Sequence, residues 1–294
     1  MASLVEIKKR IDSIASTIKV TKVMQMIATA KIAKIKQIVS VAKRYQDKVE
    51  DIFNLFYKYT SNQEEMEKYI KQRKVDKPSL YILFTSDKGT CGSINTNILK
   101  EMHNIIKVSR KNNESMIILP IGRKANSFCK NNSVKEGFKM FETADILTAE
   151  NCDSRAIASI VQKIIEMYDN DKIKNVYVVY NKYKNIITCF SVAEQILPIN
   201  FDAINNKQSS NFTNIEETKT ISSAVIELYV RNVIYNAYVS NLASIISSRM
   251  NAMDNATKNG QEIIDELRIT YNKARQAKIT SELSDIVSGF EAIS

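Results

Sequence analysis

The chain has 294 residues, enough for two ordinary domains, yet it contains only 6 glycines and 3 prolines, against averages of roughly 7 % and 5 %. Turns are therefore scarce. All three prolines, Pro78, Pro120 and Pro198, lie in the middle, so both ends are free of the strongest helix breaker. No stretch approaches the run of about 18 apolar residues that would suggest a membrane span, and Met1 leads straight into charged, patterned sequence without a signal or transit segment. The four cysteines, Cys91, Cys129, Cys152 and Cys189, are scattered, and His103 is the only histidine, which argues against a zinc site and for a reducing compartment.

The net charge of +10 is uneven. Residues 1–59 carry twelve Lys/Arg against five Asp/Glu, a net of +7, whereas residues 218–294 carry eight of each sign. Such a basic segment suits an acidic partner, although a solvated helix face accounts for it equally well. No helix-turn-helix, zinc-finger or RNA-binding signature accompanies the lysines, so a nucleic-acid partner is not expected.

In chain order, residues 1–59 come first. Alternate steps of three and four from Leu4 reach Ile7, Ile11, Ile14, Ile18, Thr21, Gln25, Ala28, Ile32, Ile35, Val39 and Ala42, a heptad seam with ten apolar positions in twelve. Val49, Phe53 and Phe56 extend it, giving a helix roughly 80 Å long. Residues 60–78, rich in Glu and Lys, read as a linker. Residues 79–200 read as an α/β domain with a parallel sheet. Its strands are expected at Leu80–Phe84, Ser115–Leu119 and Val176–Tyr180, with a weaker one at Ile186–Val192 and helices near 94–108 and 154–168. Residues 201–217 read as a second linker.

Residues 218–294 carry another seam, stepped from Val225 through Leu228, Asn232, Tyr235, Val239, Leu242, Ile246, Arg249, Met253, Ala256, Gly260, Ile263, Leu267, Thr270 and Ala274 to Ala277. Each seam needs cover, and the simplest cover is the other one, in an antiparallel two-helix coiled coil with the α/β domain inserted between its strands. The second helix is longer. Its last 15 to 20 residues, with Ile279, Leu283, Ile286, Val287, Phe290 and Ile293, are then left as an apolar tip that either frays or binds another protein.

Candidate chemistry is sparse. Ser86–Asn95 follows a strand and precedes a helix, where phosphate loops occur, but Gly89 and Gly92 are three apart and fit no nucleotide fingerprint. A tight connection capped by Asp87 or Ser93 explains it better. Cys91 beside Lys88 has only His103 as a possible base, so no Cys–His catalyst is expected. Met24 and Met26 lie near Thr21 and Gln25, the polar break in the first seam, where methionine either packs or offers an adaptable contact.

Six blocks carry a family resemblance: Ser3–Ile11 (SLVEIKKRI), Lys19–Ala28 (KVTKVMQMIA), Ser86–Gly92 (SDKGTCG), Ser248–Asn259 (SRMNAMDNATKN), Tyr271–Gln276 (YNKARQ) and Ile279–Ile286 (ITSELSDI). Together, and in this order, they resemble the γ subunit of F-type ATP synthase, with departures at Gln25, Thr90 and Phe290. The resemblance implies a non-catalytic rotor standing in the cavity of an α3β3 hexamer, with its α/β domain against the ε (or δ) subunit and the membrane c-ring. It implies that Lys22, Met24, Arg275, Gln276, Thr280 and Glu282 contact the catalytic β subunit. It also implies that Ile279, Leu283, Ile286, Val287 and Phe290 enter the apolar sleeve of the hexamer, and that Ser86, Asp87, Lys88, Gly89, Cys91 and Gly92 form the family's central motif. No cofactor or metal and no nucleic acid is expected. Membrane association is expected only through the complex, on the cytoplasmic face of a bacterial plasma membrane or the matrix side of a mitochondrial inner membrane. The alternative is a nucleotide-binding or thiol enzyme built on the central domain.

Overall fold

The computed structural model describes residues 3–59, 63–71, 77–141, 147–149, 152, 154–200 and 219–291. They fall into two units, one of residues 31–248 and one of residues 1–30 with 249–294. Two helices, α1 (Leu4–Tyr59) and α6 (Lys219–Glu291), run through both.

The larger unit is a mixed α/β structure. Its five strands are β1 (Ser79–Phe84), β2 (Met116–Ile121), β3 (Lys139–Met140), β4 (Val176–Tyr183) and β5 (Cys189–Leu197), in the order β3-β2-β1-β4-β5. The first four are parallel, and β5 runs antiparallel to β4. Its other helices are α2 (Gln63–Ile70), α3 (Ile94–Lys111), α4 (Arg123–Glu136) and α5 (Ser154–Asp169). Both faces of the sheet are covered, which is why β1 is a continuous apolar run and not an alternating one. Leu80, Ile82 and Phe84 join a core with Phe53 of α1, Tyr168 of α5 and Val230 and Ile234 of α6. Tyr81 and Leu83 face the other way, onto Ile98 and Met102 of α3 and Cys129 of α4.

Several sequence expectations need correction here. The weaker strand begins at Cys189, not Ile186, and is antiparallel to its neighbour. Asn185 causes the shift: its Oδ1 accepts the backbone N–H groups of Ile187 and Thr188 at 2.9 and 2.7 Å, folding that stretch into a turn. Helix α4 leaves no helical pattern in the sequence, because only Ala125 and Cys129 of its residues are buried and no apolar stripe marks it. Residues 63–70, within the stretch read as a linker, are helical, with Met66 and Tyr69 buried in the core. Residues 201–217 lie outside the described residues.

In the smaller unit, α1 opens with a reciprocal cap. Glu6 N–H donates to Ser3 Oγ at 3.2 Å while Ser3 N–H donates to Glu6 Oε2 at 2.8 Å, satisfying two of the donors that a helix start leaves unpaired. Its apolar seam then meets α6. Thr21 Oγ1 lies 2.8 Å from Thr257 Oγ1, and Gln25 Nε2 donates to Asp254 Oδ1 at 2.9 Å, so α6 numbers fall as α1 numbers rise. The two segments are antiparallel. All twelve seam positions from Leu4 to Ala42 are buried or half-buried along α1, and each buried isoleucine contributes roughly 1.5–3 kcal/mol.

Half of the second seam holds from Met253 onward: Met253, Gly260, Leu267 and Ala274 are covered, whereas Ala256, Ile263, Thr270 and Ala277 are exposed, and Thr257, Ile264 and Tyr271 are covered beside the first three of them. Ile263 is 41 % exposed and Ile264 only 4 %. From Val225 to Asp254 every residue of α6 is buried or half-buried, so the sequence there sets no phase for one partner.

Gly260 lets the two helices approach closely. A Cβ there would lie 2.8 Å from Ile18 Cγ1. Gly260→Val is expected to destabilise the helical pair by roughly 1–3 kcal/mol through overpacking. Gly260→Ala should change less, because about 1 kcal/mol of helix propensity offsets the clash. Thermal unfolding followed by circular dichroism distinguishes the two.

Candidate functional site

Two surfaces and one loop carry the residues singled out from the sequence. On α1 of the smaller unit, Lys22 and Met24 are exposed, Met24 by 39 %. Behind them, facing α6, lies the polar break: Thr21 with Thr257, and Gln25 with Asp254. Asp254 also accepts from Lys258 Nζ at 2.7 Å. The Lys258 hydrogen bond is the main reason the Asp254 carboxyl is held below the usual carboxylate range; the lysine charge and the Gln25 amide act in the same direction, and partial desolvation opposes them. A depressed acid stabilises the fold above its ordinary pKa and loses that effect as pH falls through the lowered one, so this contact is intact at neutral pH.

Around this break, all five basic residues on the first part of α1, Lys8, Lys9, Arg10, Lys19 and Lys22, are exposed. These basic side chains therefore point outward from the helix.

The second surface is the end of α6. Ala274 is half-buried, and residues 275–289 are exposed throughout. Ile279, Leu283, Ile286 and Val287 are 48, 57, 67 and 56 % exposed. Phe290 lies within the helix, but its side chain, like Ile293, is outside the described residues. Arg275, Gln276, Thr280 and Glu282 are also exposed, with Thr280 Oγ1 donating to Gln276 O at 3.0 Å and Glu282 3.7 Å from Lys278. Arg275 lies eighteen residues beyond Thr257, about 27 Å along the helix, so the two groups of predicted contacts form separate patches.

The loop after β1 is a structural clamp. Ser86 Oγ donates to Lys88 O at 2.7 Å, Asn95 Nδ2 donates to Ser86 Oγ at 2.7 Å, and the same amide lies 3.1 Å from Cys91 Sγ. Asp87 does cap a helix, but it is α4 and not the one that follows: its Oδ1 accepts Arg123 N–H at 3.0 Å. Ser93 precedes α3 without a side-chain cap bond. Lys88, Gly89 and Gly92 are exposed, and Thr90 has φ 56.

Cys91 is buried at 1 % exposure and packs with Ile94 and Ile245, the latter from α6, while Ser248 Oγ donates to Cys91 O at 2.6 Å. Helix α6 thus packs against Cys91 and Ile94 at the start of α3. His103 faces Glu136 at 4.0 Å. Ser240, Asn241 and Ser244 of α6 belong to none of the motifs read from the sequence, whereas Asn95 closes the Ser86–Asn95 stretch and Ser248 opens the Ser248–Asn259 block. The signal on α6 was present: polar residues at positions i, i+1, i+4 and i+8 inside an apolar helix face.

A family model described as ATP synthase matches residues 3–293. The chain is 33 % identical to the ATP synthase gamma chain of Pelagibacter ubique over 299 residues and 34 % identical to that of Psychrobacter arcticus over 301, each match covering 100 % of both chains. Among solved structures, it resembles a chain of the Tetrahymena thermophila mitochondrial ATP synthase central stalk and c-ring at TM-score 0.55 and 25 % identity, covering 81 % of this chain and 99 % of that one. A chain of the Euglena gracilis mitochondrial ATP synthase rotor shares the fold at TM-score 0.57 and 15 % identity, covering 94 % and 98 %. The chain belongs to the family of ATP synthase gamma chains.

Proposed function

We propose that this chain is the central-stalk rotor of an F-type ATP synthase, coupling proton flow through a membrane c-ring to conformational cycling of catalytic β subunits without catalysing a step itself. The observation that carries this reading is the antiparallel helical pair whose longer member ends in an uncovered apolar stretch. A shaft acts on a surrounding ring only through contacts that differ between the ring's conformers. Side-to-side differences are present here: a basic face on α1, a polar break at Gln25 and Asp254, and apolar residues at the tip.

In this reading the pair forms an antiparallel coiled coil within the α3β3 hexamer. Lys22 and Met24 face one part of β, Arg275, Gln276, Thr280 and Glu282 another, and Ile279, Leu283, Ile286, Val287 and Phe290 sit in the apolar sleeve. The sheet unit, whose strand order supports a Rossmann-like description, lies against ε (or δ) and the c-ring, with the central motif from Ser86 to Gly92 holding its first loop. Residues 1–59 and 218–294 are the two arms, 79–200 the inserted domain, and 60–78 and 201–217 its connections. No helix among the described residues is long and apolar enough to cross a membrane, in keeping with peripheral attachment through partner subunits. The bacterial relatives favour the cytoplasmic face of a plasma membrane.

Co-expression with cognate α and β subunits tests the reading. The chain should co-purify with them and be required for sustained ATP hydrolysis, while the isolated chain binds no nucleotide in equilibrium dialysis. Nucleotide binding by the isolated chain together with failure to assemble would favour an enzyme built on the sheet unit.

A further inference from the structure

Within the sheet unit, α6 carries a polar row, Ser240, Asn241, Ser244 and Ser248, beside the buried apolar residues Ala237, Ala243 and Ile245. Asn241 and Ser244 are themselves buried, at 2 % and 0 % exposure. The partners of this row are mostly main-chain groups. Asn241 Oδ1 accepts Asn181 N–H at 3.2 Å and the Asn181 amide at 2.9 Å, Ser244 Oγ donates to Asn181 O at 2.9 Å, and Ser240 Oγ accepts Tyr183 N–H at 2.8 Å. Ser248 continues the row onto Cys91 O.

The strand needs these partners because its neighbour ends early. Odd-numbered residues of this segment turn their backbone toward β1, since Leu80 N–H donates to Asn175 O at 2.8 Å. The pairing of β1 with β4 stops at Leu83↔Val179. Asn181 and Tyr183 therefore direct ladder groups to a side where β1 no longer runs, and α6 takes its place there. The spacing fits. Four residues of helix rise about 6 Å and two residues of strand about 6.6 Å, so Ser240 and Ser244 meet Tyr183 and Asn181 in step.

Apolar burial by itself is non-directional. Hydrogen bonds to fixed backbone groups weaken steeply with misalignment, so this row sets both the rotation of α6 about its axis and its position along β4. We infer that Ser240, Asn241, Ser244 and Ser248 form the joint through which turning force passes between the sheet and α6. The inference rests on the rotor reading and identifies where that rotor resists slipping.

The experiment uses the chain assembled with cognate α and β subunits and a bead tethered through Val134→Cys, a position in α4 that is 93 % exposed. With the unsubstituted joint, the bead should rotate under ATP against viscous drag. In Asn241→Leu with Ser244→Ala, rotation under the same load should slow by about threefold or more while ATP hydrolysis stays within about twofold, since two buried hydrogen-bonding groups are lost from the joint alone. Ser244→Thr, which keeps the hydroxyl donor, should turn the bead normally. Where the double variant fails to assemble, Ser240→Ala with Ser248→Ala provides the same reading from half-buried positions. Undiminished rotation in the variant that assembles would overturn the joint. A stationary bead on the unsubstituted chain would contradict the rotor reading instead.

Discussion

Gly122→Ala is expected to destabilise the sheet unit by roughly 3–5 kcal/mol, from backbone strain and overpacking together. Gly122 joins β2 to α4 with φ 102 and ψ 144, a region that side-chain-bearing residues rarely adopt. A Cβ there would lie 2.4 Å from Thr85 O and 2.7 Å from Thr85 Oγ1. Thr85 has no freedom to retreat: it is fully buried, its N–H donates to Ile121 O at 2.9 Å, and its Oγ1 accepts Ala125 N–H at 2.8 Å. Against a typical total of about 5–15 kcal/mol, such a loss leaves a substantial unfolded fraction. Urea unfolding followed by tyrosine fluorescence measures it, and a midpoint unchanged from the parent would show that the β2–α4 turn relaxes freely.

The largest functional effect is expected from Arg275→Ala with Gln276→Ala. Both side chains are exposed on the part of α6 that α1 does not cover, and among the described residues Arg275 makes no ion pair. Removing them should therefore change the stability of the chain by less than about 0.5 kcal/mol. If they bond a loop of β in one conformer only, their loss removes a charge-assisted contact of about 1.5–3 kcal/mol, which lowers ATP hydrolysis by the assembled complex roughly tenfold or more. Unaltered hydrolysis in a fully assembled complex would remove these two residues from the coupling surface.

Much of this architecture was legible because it rests on periodicity. The α1 seam was readable residue by residue: Ile7, Ala28, Ile32, Ile35 and Ala42 are buried where a period of 3.5 puts them. The β1 run was readable because a strand covered on both faces has nothing polar to interrupt it. Reading failed where more than one surface shapes the sequence. Along α6, the region around Val225 is buried on several sides, so the stepping drifted from Ile264 to Ile263. Helix α4 buries too little to leave a stripe, and Asn185 overrode the β-branched residues after it. The α6 row from Ser240 to Ser248 reads locally as weak polarity in an apolar helix, and its meaning depends on where β1 stops relative to β4, a tertiary fact absent from the local pattern.

A rotor requires that the two ends of the chain turn together as one shaft. Thr21→Cys with Thr257→Cys tests it most directly, because the parent hydroxyl oxygens are 2.8 Å apart and the replacement thiols fall within reach of a disulfide. The measurement is ATP-driven rotation of this variant, assembled with α and β subunits, before and after oxidation. The disulfide should form and rotation should continue at the same rate, since linking two parts of one rigid axle removes no motion the machine uses. Loss of rotation on oxidation, restored by reduction, would mean that the helices move against each other during turnover and would contradict the shaft.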